Sequence, residues 1–160
     1  MANLSPQNPV DIPGVRFPPP LIFIIMFIAG LQLQRIFPVL DIPKAIGYLL
    51  SVICMVPAAI IAASSFIMFR RARTSFLPFK PAAALVTNGP YRFTRNPMYL
   101  SLVLLYVGLA LRSDLFWVLA LAPIAIVLVQ YLAIVREEQY LERKFGQEYL
   151  IYKARVRRWV

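Results

Sequence analysis

Apolar and polar positions are sorted along this chain into long blocks, not into short periods. Phe17 to Leu33 is apolar but for Gln32, and Ala45 to Phe69 carries only small polar serines. Met98 to Leu111 is shorter, about 21 Å as a helix rising ~1.5 Å per residue. Leu115 to Val135 is long enough to cross a hydrocarbon core of roughly 30 Å. The blocks predict an all-α integral membrane protein with about four transmembrane helices. The third borrows length from its flanks or enters the bilayer incompletely.

Punctuation between the blocks refines this outline. Residues 1 to 16 are rich in proline and asparagine and read as irregular. Met1 to Asp11 lacks the early basic residues of a cleavable signal, so the first apolar block is expected to stay. Pro18, Pro19 and Pro20 can open the first helix but not lie deep within it. Ile36 to Lys44 reads as a tight outer connection, and Pro57 should kink or loosen the second helix. Arg70 to Thr94 is the longest polar loop. Leu111 to Asp114 is a short turn, so helices three and four form an antiparallel hairpin. Beyond Val135, Leu141, Phe145 and Tyr149 recur at helical spacing. They predict a C-terminal amphipathic helix on lipid or on the loop, interrupted at Gly146 before Gln147 to Tyr152.

Composition agrees with a membrane protein. Hydrophobic residues make up 60% of the chain, and the mean hydropathy is +0.68. A length of 160 residues allows one domain, 1–160. Cys54 lies inside the second block and reads as a small buried apolar residue.

Charge orients the spans. The net charge is +10, with seven acids against seventeen Lys and Arg. Most basic residues lie between blocks two and three or after block four. Only Arg35, Lys44 and Arg112 stand in the other two connections. The positive-inside rule then puts both termini and the middle loop in the cytoplasm, which four spans satisfy. Basic residues that flank apolar spans point to anionic headgroups of the lipid bilayer, not to nucleic acid. No metal site is expected.

Candidate chemistry gathers at the cytoplasmic helix ends. Asn96-Pro97 reads as a helix start, with Asn96 a favoured cap and Pro97 a favoured first residue. The start of that helix favours an anion, and Arg92 and Arg95 strengthen the preference. Gly89-Pro90 marks a turn or a close ligand approach. Glu137 and Glu138 stand together where helix four leaves the bilayer. Adjacent helical residues point about 100° apart. One acid can therefore pair with Arg136 or a loop arginine while the other faces a pocket. Tyr91, Phe93, Tyr99, Tyr140, Phe145, Tyr149 and Tyr152 surround these groups. They suit a flat base, a cation or simply the interfacial belt. An anion corner, paired acids and aromatic walls match S-adenosylmethionine, and equally admit a nicotinamide dinucleotide.

Leu85-Val86-Thr87, Gly89-Pro90-Tyr91-Arg92, Arg95-Asn96-Pro97-Met98-Tyr99, Glu137-Glu138, Phe145-Gly146-Gln147-Glu148-Tyr149 and Tyr152 together resemble the isoprenylcysteine carboxyl methyltransferase family. The wider group includes the phospholipid methyltransferases. The resemblance covers roughly residues 74 to 160. It implies S-adenosylmethionine as cofactor and a lipophilic or small methyl acceptor. By position, Gly89, Pro90, Tyr91, Arg95, Pro97, Tyr99, Glu137 and Glu138 would line or shape the pocket. Arg92, Asn96 and Tyr149 join them as cofactor candidates, and Arg95, Glu137 and Glu138 as catalytic candidates. The family usually has His where this chain has Asn96, and this chain has no His at all. A mechanism that needs a histidine base is thereby excluded. Two other functions fit less of the pattern. One is an NADPH-dependent membrane reductase of the sterol-reductase type, whose members carry more spans. The other is a non-enzymatic lipid-binding membrane protein.

Overall fold

The computed structural model of the chain describes residues 12–15, 17–39, 43–75 and 80–160. Among these residues every regular element is helical. Helix α1 is Pro19–Ile36, α2 is Lys44–Arg71 and α3 is Pro97–Arg112. The last apolar run is divided into α4 (Phe116–Ala120), α5 (Ala122–Val129) and α6 (Val135–Phe145), and α7 (Gln147–Arg155) follows. The protein is an all-α membrane protein. Among the described residues three helical runs are long and apolar enough to cross a bilayer: Pro19–Ile36, Lys44–Arg71 and Phe116–Phe145.

Proline sets the starts. Pro19 and Pro20 occupy the first positions of α1, where a missing N–H costs nothing. Pro97 does the same for α3. Helix α3 has 16 residues and so rises about 24 Å, short of a full hydrocarbon core. The proline at one end and Arg112 at the other fix that length. Helix α2 continues through Pro57 and ends with Arg70 and Arg71 in its last turn. The expected irregular segment 1–16 and the expected outer connection 36–44 lie partly outside the described residues.

The α3–α4 turn is as short as the sequence implies. Asp114 takes a left-handed backbone conformation, φ 56°, which aspartate tolerates better than most residues. The expected unbroken fourth helix, by contrast, is interrupted twice. Pro123 is the second residue of α5 and cannot donate to the Leu119 carbonyl. The chain tightens there, with the Leu121 N–H bonded to the Val118 carbonyl at 3.2 Å. The Tyr106 hydroxyl of α3 donates to the same carbonyl at 2.9 Å. Farther along, Gln130–Ile134 forms a wider π turn in which the Val135 N–H reaches the Gln130 carbonyl.

Two glycines let helices meet backbone to backbone. A Cβ on Gly108 of α3 would lie 2.5 Å from the Met55 side chain of α2. Cys54, beside it, is half-buried in this contact, not fully buried as its apolar surroundings suggested. A Cβ on Gly30 of α1 would lie 2.6 Å from the Val118 Cα of α4. Backbone cannot rotate away as a side chain can. Gly30→Ala is therefore expected to destabilise the protein by about 1–3 kcal/mol. Thermal unfolding in detergent reads this as a lowered midpoint; an unchanged midpoint would mean that α1 and α4 separate freely. Tyr106 joins the bundle from the other side, with Phe23 and Phe27 of α1 at ring-centroid distances of 5.7 and 5.8 Å.

Candidate active site

The N-terminal ends of α1 and α3, the C-terminal end of α2 and helices α6 and α7 together border one cavity of about 310 Å³. Small-molecule sites begin at roughly this size. Tyr91, Arg95, Asn96, Tyr99, Glu137, Glu138 and Tyr149 all line it. Seven candidates separated by up to 58 positions in sequence thus share one chamber. Tyr140 and Tyr152 line it too.

The remaining candidates shape the chamber from outside its wall. Gly89 has φ +62° and backs onto Met68 of α2, whose Cγ would be 3.0 Å from a Cβ. Gly89-Pro90-Tyr91-Arg92 forms one tight turn that delivers the buried Tyr91 inward and leaves Arg92 exposed. Pro97 is fully buried beneath the start of α3. Phe93 is 78% exposed and stands apart from the aromatic cluster. Phe145 is half-buried and does not border the cavity.

The two acids differ sharply. Glu138 is buried at 4% exposure. It pairs with Arg95 at 3.1 Å and with Arg158 at 2.7 Å. The Arg158 Nε also donates to it, at 3.1 and 3.2 Å to the two oxygens. Among the described residues Glu137 meets no arginine in this way; its Oε2 accepts the Tyr99 hydroxyl at 2.8 Å. Arg136 turns away and donates to the Gly14 carbonyl. Thus one acid is held by a loop arginine and the other borders the pocket, the division that 100° of helical rotation permits. Helix α6 carries six charged residues among its eleven, so Glu137 lies beyond the apolar part of the run. Burial raises the Glu137 carboxyl from 4.5 to about 7; the Tyr99 hydrogen bond opposes this and the Glu138 charge adds to it. Burial likewise raises the Tyr91, Tyr149 and Tyr152 phenols above their ordinary value. They remain protonated at neutral pH.

Asn96 departs from its expected use. It occupies the cap position of α3, and its carbonyl accepts the Leu100 N–H at 3.0 Å, but its side chain makes no cap bond. The Nδ2 donates instead to the Arg158 carbonyl at 3.0 Å. The reason is a competing acceptor from the chain's last residues, which fold back across the loop. Thr94 Oγ1 donates to that same carbonyl, and the Arg95 N–H donates to the Arg157 carbonyl. Arg95 Nη1 donates to the Lys153 carbonyl, and the Tyr152 hydroxyl to the Tyr91 carbonyl at 2.7 Å. Lys153 also pairs with Glu142 across the Gly146 break. Helix α7 therefore lies on the loop, with Tyr149 and Tyr152 buried.

Arg158 and Trp159 are the residues that pattern reading missed. Trp159 Nε1 donates to Gln130 Oε1 at 2.9 Å, in the π turn. The available signal was scarcity: with seven acids in the chain, a buried one needs cations, and Arg157-Arg158 ends a basic tail. Ser101 and Lys80 also border the cavity without having been singled out.

Arg95 carries the most telling polar atom. Its side chain is 9% exposed, it lines the cavity, and its Nε is buried with no hydrogen-bond partner among the described residues. A buried unpaired donor on a charged group costs free energy unless a ligand completes it. Arg95 places a cation on the cavity wall, which suits an anionic ligand group.

A helical membrane bundle with a charged, tyrosine-lined chamber at one end of its helices is the class that fold and site define. The phospholipid methyltransferase family matches residues 23–148, and the chain belongs to that family. The match takes in α1 and α2 as well as the motif-bearing half. An uncharacterised protein of Haemophilus influenzae is 46% identical over 65 residues, covering 39% of this chain and 100% of that protein. No solved structure matches the chain. The family points to methyl transfer within a membrane as the chemistry.

Proposed function

We propose that the protein transfers a methyl group from S-adenosylmethionine to a lipophilic or small acceptor at the cytoplasmic membrane face. The observation that carries this reading is the cavity's charge pattern: an Arg95 cation, a Glu137 carboxylate and tyrosine walls in one chamber. The cofactor's amino acid end is zwitterionic and its other end is an aromatic base. Arg95 suits the carboxylate, helped by the positive end of α3. Glu137 suits the ammonium or the ribose hydroxyls. Tyr91, Tyr149 and Tyr152 suit the base and keep water away. Bound there, the cofactor supplies an electrophilic methyl carbon on a sulfonium.

The chain's own contribution is then alignment and exclusion of water. A carboxylate or thiolate acceptor needs no base. An ammonium acceptor must first lose a proton, and Glu137 is the group suited to take it, since Glu138 is held by two arginines and the tyrosines stay protonated. Pro19, Pro20, Ala62 and Leu102 give the cavity an apolar side next to the helices, which supports a lipophilic acceptor arriving laterally. The basic flanks support the cytoplasmic placement of this face.

Isothermal titration of the purified protein with S-adenosylhomocysteine tests the reading. Saturable binding is expected, and no binding heat at millimolar ligand overturns it.

A further inference from the structure

We propose that Arg158, in the C-terminal strap, is a positioning and specificity residue that makes the Arg95 corner select a carboxylate-bearing ligand. The proposal rests on the cofactor reading above and goes beyond it by assigning the charge of the site to the end of the chain.

Glu138 is the link. Arg95 and Glu138 alone form a neutral ion pair, which has little reason to bind an anion. The structure adds Arg158, whose Nε and Nη2 both engage the Glu138 carboxylate. Two guanidiniums on one carboxylate leave a net charge of +1. Arg158 competes for the carboxylate of Glu138, and among the described residues the Nε of Arg95 remains without a partner. Arg158 is one-third exposed while Arg95 is not. Water therefore screens the outer guanidinium better, and the surplus positive charge is felt most at the buried one.

The strap is held for this task by groups on the cavity loop. Thr94 and Asn96 both donate to the Arg158 carbonyl, at 3.0 Å each. Trp159 fastens the following residue to Gln130. Asn96 thus acts through the strap, positioning the residue that charges the corner.

The test compares two ligands on the full-length protein: S-adenosylhomocysteine and its decarboxylated analogue, which differ only in the carboxylate. Arg158→Gln is expected to weaken S-adenosylhomocysteine binding about tenfold and to leave the analogue within about twofold. Arg158→Lys, which keeps the charge but not the bidentate geometry, recovers part of the loss. Equal weakening of both ligands in Arg158→Gln overturns the proposal, since a strap that merely holds the fold together would act so. Unchanged binding of both also overturns it, while wild-type binding leaves the cofactor reading intact. Absence of wild-type binding to either ligand overturns both together.

Discussion

Replacing Glu138 with alanine is expected to destabilise the protein by about 3–5 kcal/mol, the cost of removing one member of a buried ion-pair cluster. The physical cause is not the loss of attraction alone. Arg95 would remain buried with its charge uncompensated, facing a second cation on Arg158. The Arg158 share is smaller because that side chain is 34% exposed. The cluster also joins three parts of the chain: the loop before α3, helix α6 and the C-terminal strap. Its loss should release Arg158 and disorder the corner, so ligand binding falls with stability. Thermal unfolding in detergent measures the first effect and S-adenosylhomocysteine titration the second. Adding Arg158→Gln to Glu138→Ala should restore part of the stability, because it removes the repulsion created by the first change. A double variant as unstable as the sum of the single ones would dissolve this account.

Glu137→Gln is expected to act in opposite directions on stability and binding. The folded protein holds the Glu137 proton up to about pH 7, whereas an ordinary glutamate releases it near 4.5. The folded state thus binds this proton more tightly than the unfolded chain does. The Glu137 contribution to stability is largest below pH 4.5, declines as pH rises to about 7, and is level above that. The difference amounts to about 3 kcal/mol at most. Glutamine never ionises, so the variant should unfold at a higher temperature than wild type at pH 8 and show little advantage at pH 5. Binding responds the other way. An ionised Glu137 is needed to receive a ligand ammonium, so wild-type affinity for S-adenosylhomocysteine should rise about tenfold between pH 6 and 8. The variant should bind weakly at both. A flat wild-type profile would remove Glu137 from the ligand's contacts.

The helix starts were legible because proline leaves no choice. Pro19, Pro20 and Pro97 stand where the sequence put them, and Gly146 divides α6 from α7 as its φ of 52° requires. Glu137 and Glu138 were legible as a pair because adjacent charges are rare beside an apolar run. Which of them would be buried in arginine was not, since Arg158 lies twenty positions away along the chain. The same limit hid Asn96. Its residue type fits a cap, and only the returning strap offered its side chain a different acceptor. Hydropathy also passed over the interruption at Leu121 and the π turn, because apolar content is blind to backbone phase.

That phase has a consequence for how the site tolerates change. The π turn at Gln130–Ile134 contains one residue more than an α-helical turn would. Everything after it is rotated by about 100° relative to an uninterrupted helix. Glu137 and Glu138 therefore owe their aim to a length, not to a side chain. Deleting any single residue of that turn would leave the span as apolar as before and every site residue present. It would close the turn to an ordinary α-helical one and leave both carboxylates aimed at Tyr99 and Arg95, whereas deleting Val135 from the regular helix after the turn would swing them away by about 100°.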